Sequence, residues 1–254
     1  MRIGLFAHGD VGLEVLRHFT AGGCVPVLIV LARGDDAGNA AIRRAANTAA
    51  FAEWGREPDA AQLEQWRAAA PELGITAWWP FILRPEVFTV PRLGCLNFHP
   101  SLLPHGRGKH PNFWALREGT PFGVSLQFMD AGVDSGAVAF QQELPVSWED
   151  TGGTLHRRAQ EAIVALFKAN FARIVRGDIP RQPQPPGAGS FHRARELEPA
   201  SEIRLDDRCS ARELLNLLRA RTYPPHPAAW FTECGEVYDV RVEIKKRPSP
   251  LPHE

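Results

Sequence analysis

Short apolar runs alternate with helix-favouring stretches through the first two thirds of the chain. "RIGLFA" (2–7), "CVPVLIVLA" (24–32), "GITAWWP" (74–80) and "LGCLNFH" (93–99) predict buried strands. The near-continuous apolar character of 24–32 is typical of a parallel sheet that is covered on both faces. "LEVLRHFTAG" has the spacing of an amphipathic helix that follows a tight turn.

The segments that follow continue this alternation. Helices are predicted for about 39–53, 60–70, 84–90, 111–119 and 150–177, the last of them capped by Asp150 or Thr151. "FGVSLQFMD" and "GAVAFQQELPV" predict two further strands, joined by the turn "AGVDSG". Strands that alternate with helices indicate an α/β, Rossmann-like fold whose sheet is mostly parallel with right-handed crossovers.

A proline- and glycine-rich segment, "PRQPQPPGAGS", divides the chain. We predict a main domain over 1–179, a semi-rigid linker over 180–190 and a small C-terminal extension over 191–254. In the extension, "SARELLNLLRAR" predicts a helix, and "AAWFTEC" with "EVYDVRVEIKK" predicts a β-hairpin. Because the extension is small for an independent core, we expect it to pack on the main domain or on a second subunit.

Charge and cysteine content narrow the functional classes. Lys and Arg total 29, as do Asp and Glu, so the chain lacks the cationic surplus of a protein that binds nucleic acid. The four cysteines are scattered without a CxxC pair, so we expect neither disulfides nor a structural zinc site. This pattern fits a protein of the reducing cytoplasm. No apolar run approaches the roughly 20 residues of a membrane span. The N-terminal strand and turn show no signal-peptide pattern.

Asn97 and His99 end the strand "LGCLNFH", and Pro100 follows them. Residues at i and i+2 of a strand point to the same face, and ligands of open α/β sheets bind outside the carboxyl ends of the strands. Asp134, in a glycine-flanked turn, would add a carboxylate. Imidazole, amide and carboxylate together suggest acyl transfer without a covalent intermediate. The alternative is that all three serve local loop and turn structure.

Residues 94–142, "GCLNFHPSLLPHGRGKHPNFWALREGTPFGVSLQFMDAGVDSGAVAFQQ", resemble the signature block of the folate-dependent formyltransferases. The wider likeness covers about 1–176. The resemblance implies that Asn97, His99 and Asp134 are the catalytic residues and that 10-formyltetrahydrofolate is the donor. It also implies cofactor contacts, chiefly from main-chain atoms, at these positions: Phe81, Ile82, Leu83, Asp130 and Gly132.

The same resemblance implies a mechanism. An amine attacks the formyl carbon, Asn97 and His99 stabilise the developing oxyanion, and Asp134 orients His99. A water held by Asp134 would relay the proton, and the identity of the general base stays open. Some members of the family carry a second histidine where this chain has Gln127, which cannot shuttle protons.

The acceptor is predicted from the short tail and the neutral charge. The loop "RGKHPNFW" and the tail "LLNLLRARTYPPHPAAWF" most resemble those of sugar-nucleotide N-formyltransferases, which modify amino sugars for surface glycans such as O-antigens. We therefore expect a nucleotide-linked amino sugar, with thymidine diphosphate as the carrier. Its contacts are predicted at five positions: Gly9, Arg107, Lys109, Arg221 and Tyr223. At Gly9 the glycine spacing does not fit a dinucleotide fingerprint, but the helix that follows could hold a phosphate.

Several alternatives remain open on the sequence alone. Methionyl-tRNA or glycinamide ribonucleotide would be the acceptor in other branches of the family. A non-catalytic folate- or nucleotide-binding module and a nicotinamide oxidoreductase are the competing classes. The alternation in "VYDVRVEI" predicts a homodimer formed across the hairpin. Trp78, Trp79 and Trp114 are interpreted as core residues rather than a ligand platform.

Overall fold

The computed structural model describes residues 1–46 and 50–247. The strands are β1 (Ile3–Ala7), β2 (Leu28–Ala32), β3 (Phe51–Trp54), β4 (Leu73–Ala77), β5 (Cys95–His99), β6 (Arg107–Gly108), β7 (Gly123–Phe128), β8 (Val138–Glu143), β9 (Phe191–His192), β10 (Ala229–Glu233) and β11 (Glu236–Val240). The α-helices are α1 (Gly9–Ala21), α2 (Asp36–Ala45), α3 (Ala60–Ala68), α4 (Pro85–Phe88), α5 (Pro111–Glu118), α6 (Gly152–Arg176) and α7 (Ala211–Arg221).

Seven strands form one sheet in the order β3-β2-β1-β4-β5-β7-β8. The first five pair in parallel, and β7 and β8 join them antiparallel. The predicted mostly parallel α/β fold is therefore confirmed. The chain leaves β1 toward β2 on one side and later returns to β4 on the other. This reversal opens a crevice at the carboxyl ends of the central strands, where ligands of such sheets bind.

The predicted helix over 39–53 is wrong in its second half. Helix α2 ends at Ala45, and β3 runs from Phe51 to Trp54 as an edge strand beside β2. Residues 47–49 lie outside the described part of the chain. Alanine favours helix locally, but strand pairing and the complete burial of Trp54 override that preference.

The sheet has a core on each face. On one side, residues of β1 such as Leu5 pack with α1 and α6. On the other, Phe6 meets the rings of Trp54 and Trp66 edge to face at 5.3 and 4.9 Å. A Cβ at Gly4 would overlap the Trp66 ring, so this position needs a glycine. Burying one such large apolar side chain contributes about 1.5–3 kcal/mol to folding.

The longest helix, α6, begins with a capping box. The Thr151 hydroxyl accepts a hydrogen bond from the Thr154 amide at 3.2 Å, and the Thr154 hydroxyl accepts one from the Thr151 amide at 2.9 Å. Of the two predicted caps, Thr151 is therefore the one used. The helix ends at Arg176 and is capped by Gly177, whose φ of 80° is left-handed.

After α6 the chain returns along the main sheet. Residues 180–190, which we call the strap, bridge to β8 through the backbone of Gln182 and Val138, at 2.8 and 2.9 Å. The predicted C-terminal helix and hairpin are present as α7 and β10–β11, and α7 packs on α5. None of the helices within 1–46 and 50–247 combines the length and apolar character needed to cross a bilayer.

Candidate active site

The end of β5 holds two of the predicted site residues. Leu96 and Phe98 face the first core cluster, and Asn97 and His99 alternate to the opposite side. Asn97 lies opposite Thr76 of β4, whose hydroxyl donates to Asn97 Oδ1 at 2.8 Å. Because Oδ1 is the acceptor in that bond, the amide nitrogen of Asn97 is directed away from Thr76. It donates to Asp134 Oδ1 at 3.3 Å.

Asp134 lies in the turn between β7 and β8, with a left-handed φ of 52°. This conformation costs a non-glycine residue about 1–2 kcal/mol, so the surrounding contacts must hold it. The turn is closed by Asp130, whose Oδ1 accepts from the Gly132 amide at 3.0 Å and from the Ser135 hydroxyl at 2.8 Å. A Cβ at Gly136 would overlap the carbonyl oxygen of Phe128, so the turn closes only with glycine there.

Three donors and one imidazole nitrogen converge on the Asp134 carboxylate. Oδ1 lies 2.7 Å from Gln127 Nε2, 3.3 Å from Asn97 Nδ2 and 3.4 Å from His99 Nδ1. Oδ2 accepts from the Gly108 amide at 3.0 Å. The side chains of His99 and Asp134 are only 6% and 14% exposed. The structure thus brings the three predicted residues, Asn97, His99 and Asp134, within mutual reach; their catalytic roles remain predictions.

The ring of His99 is fixed on its other side by a backbone carbonyl. Nε2 lies 2.9 Å from the oxygen of Gly106. A carbonyl oxygen only accepts hydrogen bonds, so Nε2 must carry a hydrogen. Nδ1, which faces Asp134 at 3.4 Å, is therefore the ring atom that can gain or lose a proton. One side of the imidazole serves to orient it, and the other faces the carboxylate.

Gln127 is a site residue to which sequence reasoning gave no role. It occupies β7 directly opposite Asn97 and makes the shortest of the contacts to the Asp134 carboxylate. The signal that could have found it is register: in an antiparallel pair, a residue opposite Asn97 shares its face of the sheet. Gln127 is almost fully buried, so its amide groups need protein partners.

The segment predicted to contact the folate follows β4. Leu83 is buried, Phe81 meets the Trp79 ring edge to face at 5.7 Å, and Ile82 is 72% exposed. In the turn, the Gly132 amide donates a hydrogen bond to the Asp130 carboxylate. Cofactor binding by these residues remains a prediction.

A groove of about 430 Å³ lies between the N-terminal turns of α6 and the loop after α7. Its lining combines hydroxyl, imidazole, guanidinium and aromatic groups: Thr151, Gly153, Thr154, His156, Arg157, Gln160, Thr222, Tyr223 and Pro224. The Tyr223 ring lies 5.2 Å from that of His156 and 4.4 Å from that of His226. Burial raises the pKa of Tyr223 and lowers that of His156.

The remaining predicted acceptor contacts are distributed unevenly. Gly9 begins α1 with a left-handed φ of 57° and open space where a Cβ would stand. Lys109 is exposed, and Arg107 donates to the strap carbonyl of Ala188 at 3.0 Å. For Arg221, contact with a phosphate remains a prediction. Its guanidinium is buried, donates to the carbonyl of Ala228 at 3.2 Å and lies 3.5 Å from a carboxylate oxygen of Glu198, so it ties the tail together outside the groove.

The predicted core role of the tryptophans holds for Trp114, which is buried. Trp78 and Trp79 are partly buried against the two core clusters. A larger groove of about 490 Å³ lies between α1 and α2, but none of its lining residues can donate or accept a proton in acyl transfer near pH 7. Within the described ranges, no set of three or more His, Cys, Asp or Glu side chains is arranged to hold a metal ion.

Two profiles of known protein families match this chain. The sequence profile of the formyl transferase family matches residues 25–169, which include β2 to β8 and the three converging side chains. The profile described as the N-formyltransferase dimerization C-terminal domain matches residues 196–246, which include α7 and the hairpin.

The individual relatives match different fractions of this chain and of their own length. A methionyl-tRNA formyltransferase of Stenotrophomonas maltophilia is 37% identical over 180 residues, which are 70% of this chain and 57% of that protein. The chain therefore spans little more than half the length of that relative. A sugar N-formyltransferase of a Shewanella species shares the fold with a TM-score of 0.83 and 18% identity, over 98% of this chain and 99% of its own. An N-formyltransferase of Helicobacter canadensis, solved with folinic acid and dTDP-3-aminofucose, has a TM-score of 0.75 and 15% identity, over 92% and 85%.

Proposed function

Because the chain belongs to the formyl transferase family, we propose that it moves a formyl group from 10-formyltetrahydrofolate to the amine of a nucleotide-linked amino sugar. The observation that carries this proposal is the convergence of Asn97, His99 and Gln127 on Asp134 Oδ1, at 2.7–3.4 Å, beside the carboxyl end of β5. An amide, an imidazole and a carboxylate in one crevice provide for charge stabilisation and proton movement, and they require no nucleophile from the protein.

The chemistry assigned to each residue follows from its contacts. The acceptor amine attacks the formyl carbon, the carbon's bond to the folate nitrogen breaks, and that nitrogen gains the proton that the amine loses. Asn97 has a second amide hydrogen that can donate to the formyl oxygen as it becomes negative. His99, whose Nε2 hydrogen is used by the Gly106 carbonyl, can donate from Nδ1 to the same oxygen when the ring is protonated. Asp134 balances positive charge on the ring and holds a water for the proton relay.

The folate would bind against the segment after β4 and the turn of Asp134. Ile82, a large apolar side chain that is 72% exposed, offers contact area for a planar ring, and the neighbouring main chain offers donors and acceptors. The complex of the Helicobacter canadensis enzyme with folinic acid supports a folate donor. We include Phe81, Leu83, Asp130 and Gly132 in this contact.

The acceptor would occupy the groove beside α6. Tyr223 provides an aromatic face for a nucleotide base, and Arg157 with exposed Lys109 provides positive charge for a diphosphate. The open N-terminus of α1 at Gly9 is a further place for an anionic group. The full-length correspondence with the Shewanella sugar N-formyltransferase supports an amino-sugar acceptor, and the Helicobacter canadensis complex with dTDP-3-aminofucose supports a nucleotide carrier. The methionyl-tRNA relative corresponds over only 57% of its length.

The working unit would be a homodimer in the cytoplasm. The tail matches a profile described as a dimerization domain. Its hairpin carries exposed Val237 and Tyr238, at 66% and 47%, and Phe231 stacks on Tyr238 with ring centroids 5.1 Å apart. An exposed apolar surface on a two-stranded sheet is expected to be covered by another chain.

The proposal is tested by incubating the protein with 10-formyltetrahydrofolate and a panel of dTDP- and UDP-linked amino sugars that bear the amine on C3 or C4. Mass spectrometry should show that one of them gains one CO unit. Methionyl-tRNA and glycinamide ribonucleotide belong in the same panel. Formylation of either of these, with no amino sugar modified, would overturn the acceptor assignment and leave the formyl transfer standing.

A further inference from the structure

The strap places a second amide beside the candidate site. Gln184 is the one residue of the strap whose side chain reaches the turn of Asp134. Its Nε2 donates to the carbonyl oxygens of Asp134 at 2.8 Å and of Gly136 at 2.9 Å, across 50 and 48 residues of sequence. Because both partners are carbonyl oxygens, the amide nitrogen must face them, and the orientation of the Gln184 amide is fixed by chemistry.

The same nitrogen lies 3.5 Å from Gln127 Oε1. Both hydrogens of this nitrogen are directed to the two carbonyls, so the contact is not a third hydrogen bond, but the partial positive charge of the NH₂ group faces that oxygen. Gln127 in turn directs its own Nε2 to Asp134 Oδ1 at 2.7 Å. If the Gln127 amide were flipped, its oxygen would face the carboxylate and its nitrogen would face the donor of Gln184. Both contacts would then be repulsive, so Gln184 and Asp134 hold Gln127 in one orientation.

The strap also braces the loop that completes the site. The Ser190 hydroxyl accepts from the Gly106 amide at 3.0 Å, and the Ser190 carbonyl accepts from the Arg107 amide at 3.0 Å. Gly106 provides the carbonyl that fixes His99, and Gly108 donates to Asp134 Oδ2. At the start of the strap, the Arg181 guanidinium lies 3.5 Å above the centre of the Phe128 ring. The strap therefore contacts both segments that surround the His99 and Asp134 pair.

We propose that Gln184 is a positioning residue of the transfer reaction. It holds the left-handed Asp134 backbone through two carbonyls and sets the Asp134 carboxylate against His99 through Gln127. The proposal rests on the proposed function, because its consequence is measured in the rate of formyl transfer. A segment that links the main domain to the tail thereby becomes part of the apparatus that aligns the site.

The test compares Gln184→Ala with Gln182→Ala. Gln182 lies on the same strap, two residues away, but its side chain is exposed and its contacts are made by its backbone. We expect Q184A to lower kcat about 10- to 100-fold, to change the acceptor KM less than about threefold and to alter the pH profile of kcat. Q182A should match the wild type in all three. The double variant Q127A/Q184A should lose less than the product of the two single losses, because the two amides act in series.

Three results would overturn the proposal. The first is a kcat for Q184A equal to that of Q182A. The second is a loss confined to KM or to the melting temperature, with an unchanged pH profile. The third is full multiplicativity of the double variant. If Q184A fails to fold, Gln184→Glu takes its place: it keeps the length of the side chain but cannot donate to the two carbonyls, and the same loss of kcat is expected.

Failure of the proposed function is separated by a readout that needs no acceptor. The imidazole resonances of His99 are followed by NMR against pH in the wild type, Q184A and Q182A. A displaced titration in Q184A alone supports positioning even if no acceptor in the panel is formylated. Identical titrations in all three proteins would overturn the inference, whatever the acceptor is.

Discussion

Replacing Asp134 by Asn tests the role of charge at the centre of the site. The carboxylate accepts from Asn97 and Gln127 at Oδ1, which also lies 3.4 Å from His99 Nδ1, and from the Gly108 amide at Oδ2. An asparagine oxygen at the first position keeps the hydrogen bonds from Asn97 and Gln127, but its NH₂ group then faces the Gly108 amide, donor against donor. The substitution thus removes one hydrogen bond to a charged group, worth about 1.5–3 kcal/mol, and the negative charge that faces His99 Nδ1.

The transition state of formyl transfer should lose more stabilisation than the hydrogen bond or the negative charge alone provides. Removing one preorganised electrostatic partner of a developing charge costs about 2.7–4 kcal/mol, and a tenfold change in rate corresponds to about 1.4 kcal/mol. We therefore expect kcat of D134N to fall by about 10²- to 10³-fold. The stability should change by less than about 2 kcal/mol, because the lost hydrogen bond is offset by relief from burying a charge.

Single-turnover formyl transfer with saturating acceptor gives the rate of the chemical step, and urea unfolding gives the stability. Asp178→Asn is a matched control, because it removes an exposed carboxylate that pairs with Arg173 at the far end of α6, and it should leave kcat unchanged. A D134N rate within tenfold of the wild type would refute the reasoning. A large loss that appears only together with unfolding would also refute it.

Three further predictions concern the fold. Burial lowers the pKa of His18, His110 and His156, so the unfolded chain binds more protons than the folded one below about pH 6.5. The urea midpoint of unfolding should therefore fall as the pH decreases from there, and a midpoint that rises on acidification would contradict this prediction. His110→Asn, which suits the left-handed backbone at that position, should make the midpoint less dependent on pH. Thr151→Ala removes the cap of α6 and should lower the free energy of unfolding by about 1 kcal/mol. The same change at Thr120, outside the described helices, should lower it less. Equal decreases in the two variants would count against the capping box. Burial raises the pKa of the Cys95 thiol to about 12. Iodoacetamide at pH 8 should therefore label the exposed Cys209 and Cys234 in the native protein, and Cys95 only after unfolding. Peptide mass mapping that detects labelled Cys95 in the native protein would disprove this.

Much of the sheet could be predicted because its strands are short apolar runs with clear ends. Asn97 and His99 could be recognised because spacing by two is visible in the sequence and Pro100 marks the end of the strand. Asp134 could be suspected because glycines flank it in a turn. In each case the information lies within a few neighbouring residues, and local pattern is enough.

The errors and omissions involve contacts between distant parts of the chain. Strand β3 was missed because its alanine-rich surroundings favour helix, and only pairing with β2 makes it a strand. Gln184 was missed because a polar residue in a proline-rich segment gives no sign of reaching across 50 residues to Asp134. The contacts of Arg221 could not be predicted, because its charge suggested a phosphate contact, whereas the packing of α7 turns its guanidinium toward Ala228 and Glu198.

The central claim is that one formyl group sits among an amide, an imidazole and a carboxylate. The most direct measurement is a crystal structure with a folate analogue that carries a non-transferable formyl group at the N10 position. We predict that the formyl oxygen will lie within about 3 Å of Asn97 Nδ2 or His99 Nδ1, with the ring system against Ile82. An analogue bound with its formyl group many ångströms from both nitrogens would contradict the claim.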